Sequence, residues 1–188
     1  MRVGRPNRSG VAGQARSRLV SLQSTGKRLS LPIHIALASE GDAEEIASVL
    51  LAAFRDFEAL YTPDAFRATT PDAKQIADRV AEGPVWVARE GEAVVGTVSA
   101  IQRGEEVYIR SMALLPSARG RGIGRRLLAQ VEAFAVSRGA RRLSLTTTPF
   151  LTAAIRLYER AGFRRASGPL DLCGTPLFAM AKELSAKA

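Results

Sequence analysis

Cysteine and histidine are nearly absent from this 188-residue chain, with Cys173 and His34 the only examples. One cysteine closes no intramolecular disulfide, and the pair supplies no metal cluster of the usual kind, so no metal is expected. His34 sits in an alternating segment and reads as a strand residue, and Cys173 reads as a small packed side chain. No apolar run is long enough to span a membrane, and no internal repeat is present. Acidic residues are missing from one region only. Residues 1–31 hold seven of the 27 Lys and Arg and none of the 18 Asp and Glu, so the formal charge of +9 falls to 20 − 18 = +2 over the rest. The basicity therefore belongs to the extension, which weakens nucleic acid as a partner of the folded part. Rich in Ser, Gly and Arg, residues 1–31 bring too few large apolar side chains to offset their ordering entropy, and they are expected to form a disordered basic extension. A transit peptide or a basic arm has the same composition, but a plain extension is the preferred reading. With 46% hydrophobic residues, the remainder can build one core. A single domain over residues 32–186 and a cytoplasmic location are expected.

The most informative stretch runs from Val107 to Gly124, VYIRSMALLPSARGRGIG. An apolar strand ends at Pro116, Ser117–Arg121 form a basic loop, and Ile123, Leu127, Leu128, Val131, Phe134 and Ala135 recur with the period of a half-buried helix. Gly120, Gly122 and Gly124 keep side chains away from the first helical turn, whose unpaired N–H groups can then face an anion. A Walker phosphate loop would need Lys and then Ser or Thr where Arg125 and Arg126 stand, and the glycine spacing does not fit a dinucleotide fingerprint.

Around this stretch the pattern predicts an alternating strand over Ile33–Leu37 and a helix capped by Asp42 that carries Ile46, Val49, Leu50, Ala53, Phe54 and Phe57. A second helical region runs from Thr62 to Val80, interrupted near Pro71. A hairpin turns at Glu90–Glu92, and a further turn near Gly104 leads into the central strand. Arg142–Thr146 forms a strand, Thr148 and Pro149 open a helix that ends at Ala161, and closing strands start at Phe163 and Leu177.

Arg119-x-x-Gly122-x-Gly124 after a strand and a proline, with Tyr158-x-x-x-Gly162-Phe163 further on, resembles the two signatures of the Gcn5-related N-acetyltransferase (GNAT) family. The likeness covers about Ile33 to Leu184. It implies an α/β fold, a mixed, mostly antiparallel GNAT-type sheet with helices on both faces. It also implies an enzyme that uses acetyl-CoA as acyl donor and a small-molecule or peptide amine as acceptor, by direct attack in a ternary complex; a homodimer is compatible with it. Under this resemblance Met112, Ala113 and Leu114 would pair with the pantetheine arm as an added strand does. Arg119, Gly120, Arg121, Gly122, Ile123, Gly124 and Arg125 would hold the pyrophosphate, with Arg126 pointing away.

Acetyl transfer from a thioester needs a proton for the departing thiolate, and Tyr158, at the family's general-acid position, is neutral at pH 7. Many relatives carry a strand glutamate where this chain has Tyr108. Glu106, two residues earlier on the same face by alternation, is the candidate base or ammonium partner. Tyr108 and Arg110, expected on that face together with Met112, would line the acceptor site, and Arg110 could pair with an acceptor carboxylate. Leu151 replaces an asparagine frequent in relatives, with Thr147, Thr148 or Thr152 as substitutes. Phe57, Glu58 and Tyr61, in the segment between the first two helices, are the remaining acceptor-site candidates. The rival function is a non-catalytic GNAT-fold module that binds CoA or a protein partner.

Overall fold

The computed structural model describes residues 31–184. Apart from Leu31, the expected disordered extension lies outside the described residues. Twelve elements follow in chain order: β1 (Ile33–Leu37), α1 (Ala43–Phe54), α2 (Pro63–Thr69), α3 (Ala73–Glu82), β2 (Val85–Glu90), β3 (Ala93–Arg103), β4 (Glu106–Leu114), α4 (Ile123–Ser137), β5 (Arg142–Thr147), α5 (Thr152–Arg160), β6 (Arg164–Leu172) and β7 (Thr175–Glu183). The strands form one sheet in the order β1-β2-β3-β4-β5-β7-β6. Only β4 and β5 run parallel, as the crossover through α4 requires.

Strand alternation divides the core between the two faces. Trp86, Ala88, Val95, Val98, Val107 and Ile109 pack against Leu127, Leu128 and Val131 of α4 and Tyr158 of α5. Val85, Val87, Val94 and Ala113 face Ile46, Val49 and Leu50 of α1 and Ile76 of α3. Helices thus cover both faces of a mixed, mostly antiparallel sheet.

Helix starts follow local side-chain chemistry, with two departures from the sequence reading. The second helical region is two helices. Thr62 caps α2 by accepting from Ala65 N–H at 3.3 Å, and the Asp72 carboxylate caps α3 by accepting from Gln75 N–H at 2.8 Å while Gln75 accepts from Asp72 N–H. Asp42 does not cap α1. Its carboxylate accepts instead from Ser39 N–H at 2.8 Å and pairs with Arg89 of β2. Burial opposes that charge, but the Ser39 N–H and the Arg89 guanidinium together hold the carboxyl below the usual range. The other departure is α5, which starts at Thr152 rather than at Thr148 and Pro149; those residues form the turn that leads β5 into it.

One irregularity in β4 positions everything that follows. Thr97 pairs with Ala113 and Ser99 with Arg110, so Ser111 and Met112 together stand opposite Val98. This is a β-bulge, with Ser111 at φ +54°. It resets the alternation: Met112 and Leu114 join the α4 face, and Ala113 turns to α1. The expectation that Met112 shares a face with Glu106, Tyr108 and Arg110 is therefore corrected, because one extra residue inverts the order downstream of it.

Where α3 passes into β2, Gly83 is extended (φ 175°, ψ 174°), and a Cβ there would stand 2.4 Å from the Ala100 carbonyl oxygen. That oxygen belongs to the β3 backbone and cannot rotate aside. Gly83→Ala should therefore destabilise the protein by about 2 kcal/mol, lowering Tm by roughly 4–8 °C in a melting experiment; an unchanged Tm would contradict this close packing.

Candidate active site

Pairing between β4 and β5 stops at Ile109 and Leu145. Both strands continue, β4 to Leu114 and β5 to Thr147, but they part beyond the bulge. From Arg110 onward β4 pairs with β3 on one side and, among the described residues, has no strand partner on the other, which leaves a peptide edge open to a ligand amide. The opening is a cavity of about 960 Å³. It passes through the sheet, since its walls include Arg79 and Arg110 from the α3 side and Leu157, Tyr158 and the start of α4 from the other.

At the α4 end, Gly120 and Gly122 adopt φ +76° and +74°, the left-handed region that favours glycine. Nothing lies within 4 Å of where their Cβ atoms would be, so the loop backbone is exposed to the cavity. Gly124 serves packing, for a Cβ there would meet Leu157 Cδ2 at 2.9 Å. The four arginines of this loop divide. Arg121 forks onto Glu90 with two 2.9 Å bonds and lies outside the cavity lining. Arg126 donates to the Ile33 carbonyl, and Arg119 lines the cavity while donating to the Ala53 carbonyl at 2.9 Å. Arg125 lines the cavity and has no hydrogen-bond or ion-pair partner among the described residues.

Of the residues expected at the site, the cavity brings together Met112, Ala113, Leu114, Arg119, Gly120, Gly122, Ile123, Gly124, Arg125, Phe57, Tyr61, Tyr108, Arg110 and Tyr158. Arg121, Glu58 and Glu106 are not among its lining. Glu58 is exposed. Glu106 sits at the start of β4, bonded to the Ser144 hydroxyl and 3.7 Å from Arg142.

Side chains that sequence reasoning passed over complete the walls. Phe150 stacks on Phe57, with centroids 6.3 Å apart and planes at 22°, and meets the edge of Tyr61 at 4.9 Å. Thr62 ties this aromatic corner to the β6–β7 turn: its hydroxyl donates to the Cys173 carbonyl at 2.7 Å and its backbone N–H donates to Thr175 Oγ1 at 3.0 Å. Arg79 donates to Ser111 Oγ at 2.6 Å. It follows Ile76 by three residues on α3, a helical spacing that marks an inward face and was available in the sequence. Arg156 and Arg160, one turn apart on α5, also line the cavity. In all, six arginines and no Asp, Glu, Lys or His contribute to its walls.

Tyr158 is 6% exposed and lies beside Tyr108, whose hydroxyl is 2.8 Å from Thr146 Oγ1. Burial first, and the neighbouring Tyr108 second, push its phenol above the ordinary value. Burial likewise raises Tyr61.

Comparison with known proteins places this geometry in a class. Residues 47–163 match the model of the acetyltransferase (GNAT) family, and the chain belongs to that family. Among curated proteins, the uncharacterized N-acetyltransferase YjgM of Escherichia coli is 38% identical over 93 residues, covering 47% of this chain and 56% of the relative; the chain thus matches about half of that protein's length. Among solved structures, the PaiA N-acetyltransferase of Thermoplasma acidophilum in complex with coenzyme A aligns with a TM-score of 0.71 at 17% identity, over 82% of this chain and 100% of that one. YncA of Salmonella typhimurium, with its cofactor acetyl-CoA, aligns with a TM-score of 0.65 at 22% identity, over 83% and 96%. At these identities the structural likeness concerns the fold. Among the described residues, no helix is long and apolar enough to cross a membrane, and no group of three potential metal ligands occurs.

The raised phenol gives a direct check. Tyr158 keeps its proton in the folded state above the pKa of about 10 that it has in the unfolded chain, so its contribution to stability is complete below pH 10 and is lost as pH rises beyond it. In a spectrophotometric titration of the folded protein, Tyr158→Phe should leave the phenolate absorbance at pH 10.5 unchanged; a drop by one tyrosine's share would contradict the assigned burial.

Proposed function

We propose that the protein is an acetyl-CoA-dependent N-acetyltransferase that moves an acetyl group to a primary amine by direct attack in a ternary complex. The observation that carries this reading is the parted β4–β5 pair, which opens a strand edge, a glycine-lined helix start and a buried phenol into one cleft. The residues fit the donor. The backbone of Met112, Ala113 and Leu114 would pair with the pantetheine amides. The N–H groups from Gly120 to Arg125, with the side chains of Arg119 and Arg125, would take the pyrophosphate. When bound, acetyl-CoA supplies a thioester, an acetyl group already activated for transfer.

The chain's own residues supply the rest. Tyr158 holds a proton against ionisation and directs it into the cleft, where it stabilises the sulfur as the carbon–sulfur bond breaks. The amine must arrive without its extra proton. Six arginines and no carboxylate disfavour an ammonium ion in the cavity and lower its pKa, so the walls themselves favour the free base. Glu106, held by Ser144 away from the cleft, takes no part in this reading. As the nitrogen–carbon bond forms the nitrogen gives up one proton, and the sulfur leaves as a thiol, so the proton count balances. A non-catalytic CoA-binding module is the alternative, and the buried Tyr158 in the cleft speaks against it.

Two substitutions separate chemistry from binding. Tyr158→Phe should lower kcat by roughly 10²–10⁴-fold and keep the rise in Tm on adding acetyl-CoA; an undiminished single-turnover rate would remove Tyr158 from its role. Gly122→Asp, which introduces bulk and negative charge at the loop, should abolish that rise, and a folded variant with the wild-type shift would overturn the pyrophosphate assignment.

A further inference from the structure

We propose that the acceptor amine also carries a carboxylate, which Arg79 and Arg110 hold on the α3 side of the cleft; this rests on the acetyltransferase reading. Arg79 reaches the cavity from α3 and is fixed by its bond to Ser111. Arg110 reaches it from β4, with its side chain 23% exposed. The two like charges are close enough that burial first, and Arg110 second, push the Arg79 guanidinium down. One carboxylate answers them: Glu82, paired with Arg110 and itself 51% exposed. Two guanidiniums against one solvent-facing carboxylate leave a positive charge in a partly desolvated wall, an arrangement that an incoming anion stabilises.

Three features set the rest of the acceptor. Buried Arg110 Nε lacks a hydrogen-bond partner among the described residues. A buried polar atom left in this way awaits a polar ligand. In the same cavity, Phe57, Phe150 and Tyr61 form an aromatic corner that suits an apolar body. The absence of any acidic residue from the lining excludes di- and polyamines, whose remote ammonium would meet only arginines. The class that fits is an amine with a nearby carboxylate and an apolar or aromatic side group, such as a free amino acid.

The test uses the full chain with saturating acetyl-CoA and follows thiol release with matched acceptors: phenylalanine against phenethylamine, tyrosine against tyramine, leucine against isopentylamine, with spermidine and phosphoethanolamine added. Transfer to at least one carboxylated member, tenfold or more above its decarboxylated partner, is the expected result. Equal or faster transfer to the decarboxylated amines, preference for spermidine or phosphoethanolamine, or no transfer to any carboxylated member would overturn the proposal. Arg110→Gln should lower kcat/KM for the preferred acceptor roughly 10- to 100-fold. Glu82→Gln, which frees Arg110 and leaves both guanidiniums in place, should lower KM for the same acceptor; an increase would count against the proposal and guards against an Arg110 variant that simply misfolds. The Tm rise with acetyl-CoA distinguishes the two levels of failure. If it is present without carboxylate preference, only this inference falls, whereas its absence removes the acetyltransferase reading as well.

Discussion

The parting of β4 from β5 is the constraint on which the rest of the molecule depends. A parallel pair joined by a helix ordinarily stays closed along its length. Here one extra residue, Ser111, bends β4 away after Ile109 and leaves a peptide edge that no strand among the described residues covers. The same bulge turns Met112 and Leu114 under α4 and sets the α4 start beside the opening. Because the gap passes through the sheet, a donor can enter from the α4 side and an acceptor from the α3 side, and the two can meet without either displacing the core.

Charge is distributed with equal economy. Arginines that would crowd the phosphate loop are drawn off by neighbours: Arg121 to Glu90 on β2, Arg126 to the β1 backbone. Arg119 is steadied by the last turn of α1, where carbonyls lack helical partners and favour a cation. Arg125 remains without a partner among the described residues and lines the cavity. On the far side, Arg79 and Arg110 make a second positive wall, while on α5 the buried Tyr158 stays neutral. Positive walls around a neutral phenol suit the proposed reaction, which brings in phosphates, needs an uncharged amine and develops negative charge on sulfur.

How much of this could be read from the sequence depended on whether the determining interaction was local. The glycine-rich turn into α4, the hairpin at Gly91 and the extents of β1 and β5 were legible because turn residues and apolar periods lie within a few positions of one another. Tyr158 was legible through its Gly162-Phe163 context. The Ser111 bulge was not, because a serine at positive φ carries no signal in the chain, and simple alternation therefore placed Met112 on the wrong face. Asp42 resembled a helix cap but is claimed by Arg89, 47 residues away. Similarly, whether Glu106 enters the cleft turns on Ser144, a partner set by β4–β5 register and not by spacing. The charge of the cavity walls emerges only when α3, β4, α4 and α5 are brought together, since each contributes one or two arginines.

The central claim is that the unpaired edge of β4 and the loop that follows it form the donor site. Amide hydrogen exchange, followed by mass spectrometry with and without acetyl-CoA, tests it at the backbone itself. The account predicts slowed exchange concentrated in peptides that span Arg110–Leu114 and Gly120–Arg125, with the closed β4–β5 segment before Ile109 unchanged. Binding of acetyl-CoA with protection elsewhere, and none in those two segments, would contradict it.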